Sequence, residues 1–138
     1  MEENCYGPDG PFSERVGWQQ IADAASGASY IMGRYLGFED GKSVLPPLPI
    51  SDISARSNGA LGTMMAIRDR ALKGGSYQVV TSLISAIATS LEPEIGLYPM
   101  NTLEKVDQKF KWTPATPEEF AIETWLHVVV GRESSRNT

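Results

Sequence analysis

"PISDISARSNGALGTMMAIRDRALKGGSYQVVTSL", residues 49–83, decides how this chain reads. Pro46, Pro47 and Pro49 stiffen the approach into an extended form and exclude a helix there. Ser51 or Asp52 is then a good helix N-cap, and the pattern beyond it predicts a long helix over residues 51–72. Ile53, Ala60, Met64, Ile67 and Ala71 make one apolar stripe, which Leu61, Met65 and Leu72 widen. On that pattern Met64 and Met65 belong to the core. Arg68, Arg70 and Lys73 suit the negative end of the helix, and Gly74 and Gly75 stop it. Next, "SYQVVTS" at residues 76–82 is β-branched and aromatic and reads as a strand. "LISAIATSL" at residues 83–91 reads as a second helix, ended before Pro93.

Working outward, residues 1–16 read as a loop, because "YGPDGPF" packs two prolines and two glycines into seven positions. Residues 17–35 read as a helix with Trp18, Ile21, Ala25 and Ala28 at helical spacing and many small residues that let another backbone come close. Gly27 in its middle has a packing reason or marks a break. Residues 37–49 are a loop. Downstream, residues 101–110 form a short amphipathic helix with Leu103, Val106 and Phe110 on one side. A last helix starts near Glu118 and Glu119 and runs to Gly131. The sum is a helix-rich α/β chain with one clear strand and a single domain over residues 1–138. One strand cannot stand alone, so either weak strands hide in the loops or it pairs with a partner chain.

Composition narrows the function classes. The 138 residues are 41% hydrophobic and 21% charged, a globular balance. A net charge of −5, with no basic run, argues against nucleic acid as a partner. The longest apolar runs are too short to span a bilayer, and the acidic start lacks the apolar segment of a signal peptide. One cysteine, Cys5, excludes an internal disulfide framework and a multi-cysteine zinc site. A reducing cytoplasmic setting is the expectation.

Few residues invite chemistry. Cys5 sits among glycines and prolines and is a poor candidate nucleophile. His127 is the only histidine, and among valines it reads as packed or surface-lying rather than catalytic. "GPDG" and "KGGS" match neither a P-loop nor a dinucleotide fingerprint and read as turns. No metal-ligating cluster is visible, so no metal is expected. Asp52 remains, with two readings open. It is a helix cap, or it is a carboxylate nucleophile that attacks an activated acyl group and forms a covalent anhydride. The positive end of a helix favours a carboxylate in either role. Arg56 lies one turn on and reaches back to it, a candidate catalytic partner that would hold Asp52 ionised. Trp18 and Tyr30 on the first helix, with Met64 and Met65 on the long one, are the candidate lining of an apolar substrate pocket.

Four blocks in order carry a resemblance: "GWQQIADAASG" at 17–27, "PISD" at 49–52, "GALGTMMAIRDRALKGGSYQVVTSL" at 59–83 and "PEIGLYP" at 93–99. Together they resemble the class III CoA-transferases, the CaiB/BaiF family, and most of all its fungal members. The likeness runs over residues 5–130. It implies a portion of a larger Rossmann-like domain, an interlocked homodimer, and transfer of a CoA thioester between carboxylic acids. It also implies that Asp52 accepts the acyl group. CoA would then be a substrate, with no resident cofactor. Three departures stand out. Arg56 takes the place of a frequent family glycine and stands close enough to plug the substrate space. Trp18 stands where the family's racemases carry a histidine, which argues against that chemistry. Much of the CoA site belongs to the portion of a family member that precedes the "YGPDG" loop. Two other functions therefore stand beside the transferase: a CoA-independent biosynthetic cyclase or isomerase, and a non-catalytic, dimerising binding protein.

Overall fold

A computed structural model describes residues 1–36, 38 and 42–109. The expected last helix, with His127, lies outside these residues, as does Phe110. In chain order the elements are β1 (Glu2–Asn4), α1 (Gln19–Ala25), α2 (Ala28–Tyr35), α3 (Ile50–Lys73), β2 (Val80–Ser82), α4 (Leu83–Ser90) and α5 (Met100–Lys109). The architecture is helix-rich α/β with a small sheet.

The lone strand finds its partner within the chain. β1 pairs with β2 in parallel, Glu2 opposite Val80, Glu3 opposite Thr81 and Asn4 opposite Ser82. Residues 1–16 are therefore not all loop: "EEN" carries no β-branched or aromatic signal and is drawn into the ladder by its neighbour. The expected strand over 76–82 shortens to Val80–Ser82 because β1 offers only three residues to pair with. One further backbone bond, from Glu2 N–H to the Val79 carbonyl at 2.8 Å, extends the contact.

The expected helix over 17–35 is two helices. Gly27 holds φ at +86°, the left-handed region where a Cβ is penalised, and so ends α1 and starts α2. The proline loop then packs closely on α2. Lys42 lays its carbonyl where a Cβ on Gly33 would stand, and Val44 N–H donates to the Ser29 carbonyl at 3.0 Å. These contacts tie the loop to α2 before it enters α3.

α3 is about 36 Å long, from 24 residues at about 1.5 Å each. Its buried side is not the large apolar stripe. The buried residues are Ser51, Ala55 and Gly59, one turn apart. Ile53, Leu61, Met64, Met65, Ile67 and Leu72 are each more than half exposed. The physical reason is closeness. α3 lies against α1, α4 and both strands, and only small side chains fit between them. The core is accordingly Cys5, Ala22, Ala55, Leu83 and Ala86, with Tyr6 and Ile84 packed around it. α4 is capped by Ser82, whose hydroxyl accepts from Ser85 N–H at 3.2 Å.

Candidate active site

The proline loop delivers the chain to Pro49, which is the N-cap of α3 and makes no side-chain capping bond. The helix begins at Ile50, so neither Ser51 nor Asp52 is the cap. Asp52 is the acidic residue of the first turn, and its carboxylate faces the positive end of a 24-residue helix without being tied to a backbone N–H. Its side chain is 29% exposed, and Arg56 Nη2 lies 3.9 Å from Oδ2. The i, i+4 pairing expected from spacing is present. Arg56 itself is 71% exposed, so the pair is a loose surface one, worth well under about 1 kcal/mol.

Behind Asp52 sits a second acid. Asp23, on α1, is completely buried. Gln19 Nε2 donates to its Oδ2 at 2.5 Å, one turn earlier on the same helix. Its Oδ1 and the Ser51 hydroxyl are both buried without a hydrogen-bond partner of good geometry. They are nonetheless neighbours across the α1–α3 contact. Burial pushes the Asp23 carboxyl above its ordinary value, Ser51 and Gln19 offset part of this, and the Asp52 charge raises it further. Cys5 joins the same pocket of charge. Burial raises its thiol first, Tyr6 lowers it in part, and Asp23 and Asp52 raise it again. A thiol so placed stays protonated and is a poor nucleophile.

Of the six residues singled out from sequence, two come together, Asp52 and Arg56. Trp18 ends as the exposed N-cap of α1, and its carbonyl receives the Cys5 thiol at 3.9 Å. Tyr30 lies on α2 and is partly exposed. Met64 and Met65 are not core residues; they stand exposed on α3, about 18 Å along the helix axis from Asp52. Asp23 is the residue that sequence reasoning misses. Its signal is present in "QQIADAASG": one acid among small residues, with Gln19 placed at i−4 to receive it. Among the described residues no group of three or more His, Cys, Asp or Glu side chains is arranged to hold a metal ion. Nor is any helix among them long and apolar enough to cross a membrane.

An acid in the first turn of a long helix, reached through a proline-rich loop, falls within the stretch that the sequence profile of CoA-transferase family III matches, residues 2–130. The chain belongs to CoA-transferase family III. Among curated relatives, an "Acyl-CoA transferase" of Gibberella moniliformis is 49% identical over 112 residues, covering 81% of this chain and 20% of the relative. The "Acetyl-coenzyme A transferase nodX" of Hypoxylon pulicicidum is 45% identical over 83 residues, 60% of this chain and 14% of that protein. The "Succinyl-CoA--L-malate CoA-transferase alpha subunit" of Chloroflexus aurantiacus is 35% identical over 101 residues, 67% of this chain and 22% of that subunit. The chain thus spans between 14% and 22% of the length of these relatives. No solved structure matches significantly.

Proposed function

We propose that this chain carries the acyl-accepting aspartate of an acyl-CoA transferase, with Asp52 as the nucleophile. The observation that supports it most is the position of Asp52: partly exposed, uncommitted to capping, in the first turn of α3. The chemistry balances without a cofactor. A carboxylate oxygen of Asp52 attacks the thioester carbonyl, the C–S bond breaks, and CoA leaves as thiolate while a mixed anhydride forms. The thiolate then attacks the Asp52 carbonyl and the donor acid leaves as carboxylate. An acceptor carboxylate reverses the two steps and departs as the new CoA thioester. Arg56 is the gate of this site, exposed enough to swing away when substrate enters. Trp18, Tyr30, Met64 and Met65 remain candidate contacts for an apolar acyl chain. The setting is cytoplasmic, and the partner is a small-molecule acid rather than nucleic acid or membrane.

The test is a calorimetric titration with acetyl-CoA, followed by mass mapping of the protein. Heat in the millimolar range or below, and an acyl or CoA adduct on the peptide that contains Asp52, is the expected result. No heat at millimolar ligand sinks the transferase reading for this chain.

A second reading rests on the outward face of α3. Leu61, Met64, Met65, Ile67 and Leu72 are each more than half exposed on one helix, the kind of apolar surface that marks an interaction site. They suit a second copy of this chain, in a homodimer. Sedimentation is expected to show a dimer at micromolar concentration. Met65→Glu is expected to weaken it at least tenfold, since a charge is then buried unpaired. A monomer at all concentrations would falsify the dimer.

A further inference from the structure

We propose that Asp23 is a positioning residue for Asp52, its buried carboxyl and the Ser51 hydroxyl forming a linked pair that fixes the first turn of α3 from beneath. The proposal rests on the transferase reading for its purpose, since Asp52 matters there as the nucleophile. Its physical basis is separate.

Asp23 and Ser51 are both completely buried, on different helices, at the contact between α1 and α3. Each leaves one oxygen without a partner of good geometry, Oδ1 of Asp23 and Oγ of Ser51. A buried polar atom left alone costs about 1–3 kcal/mol, so two orphans on facing helices are best explained by each other. The Ser51 hydroxyl can donate to Asp23 Oδ1 when the carboxyl is ionised and can accept from it when the carboxyl is protonated, so the pair closes in either state. Gln19 fixes the other oxygen and so the direction of the carboxyl. The ionisable groups around Asp23 fit this. Cys5 follows β1, and α3 brings Asp52 with Arg56 3.9 Å from it. α2 carries Tyr30, Arg34 and Tyr35, and α4 has no ionisable side chain. The charge acting on Asp23 is an anion, Asp52, which disfavours a second negative charge there. Burial works the same way. Ser51 precedes Asp52 directly, so holding the Ser51 hydroxyl holds the turn from which the nucleophile projects.

The test reads ionisation, not turnover, so a failed transferase reading leaves it intact. Aspartate carboxyl carbons of the full chain are followed by NMR against pH. In the unaltered protein the Asp23 midpoint is expected above the ordinary aspartate value. Asp52→Asn removes a repelling charge and lowers that midpoint; Ser51→Ala removes a donor to the ionised form and raises it. An Asp23 midpoint at the ordinary value, or one that neither substitution moves, overturns the proposal. Urea unfolding supplies a second readout. The folded-state midpoint of Asp23 lies above its unfolded one, so its contribution to stability is full below the unfolded value and is lost as pH rises through the folded value. Asp23→Asn cannot ionise, so its denaturation midpoint is expected to gain on the parent as pH rises from about 4 to about 8. A difference that stays constant with pH marks a purely structural side chain and overturns the proposal. Where a variant does not fold, the titration of the unaltered chain decides.

Discussion

Asp52→Asn is expected to lower acyl transfer by about 10⁴-fold while leaving the fold intact. The amide has the shape of the acid but no anionic oxygen to attack a thioester carbonyl. The structural cost is small. Asp52 caps nothing, because Pro49 is the N-cap. Its ion pair to Arg56 is long and exposed. Its side chain is not part of the core. The urea midpoint is therefore expected to move by the equivalent of less than about 1 kcal/mol. The rate is measured as exchange of CoA between a labelled acid and acetyl-CoA. Retention of more than a tenth of the rate places the nucleophile elsewhere. Asp23 is not a substitute for it, since a side chain with no exposed surface cannot reach a thioester.

How much of this site can be read from sequence alone depends on what each residue type encodes. The element at α3 is legible because proline, a long periodic run and paired glycines are local signals that need no tertiary information. α4 and α5 follow for the same reason. The face of α3 is not legible. Periodicity reports where large apolar residues fall, and it treats Ala55 and Gly59 as neutral. Here the protein buries the small residues and exposes the large ones, because two helices and two strands crowd one side of α3. β1 is invisible for a related reason: "EEN" becomes a strand only because Val80–Ser82 is there to pair with it. Asp52 and Arg56 are legible as a pair by i, i+4 spacing, but spacing says nothing of what the pair does. Asp23 is hidden by its surroundings. Nothing local distinguishes a buried acid in a small-residue helix from an exposed one. Only Gln19, one turn back, hints that its carboxyl is held.

The small face of α3 joins the fold to the chemistry, and Ala55→Leu tests that link. Ala55 is one turn beyond Ser51, is completely buried, and shares the core with Ala22 of α1 and with Leu83 and Ala86 of α4. Its carbonyl also accepts from Thr81 Oγ1 at 3.4 Å, so the backbone here is tied to β2 as well. A leucine adds three carbons where helices meet through alanines. The side chain has no space to turn into, and α3 must move away from α1 or α4. Overpacking of this kind costs typically about 1–3 kcal/mol, and with three elements in contact a loss of about 2–3 kcal/mol is expected by urea unfolding. Ala55→Gly is the control. It removes one methyl and adds backbone freedom, and costs about 1 kcal/mol without pushing the helices apart. The two variants also part in their effect on Asp23. Leucine, by widening the α1–α3 gap, lets water reach Asp23 and draws its NMR midpoint back toward the ordinary value, whereas glycine leaves that midpoint where it is. A leucine variant as stable as the parent would mean that the junction has slack, and that closeness at Ala55 is not what seats Ser51 over Asp23.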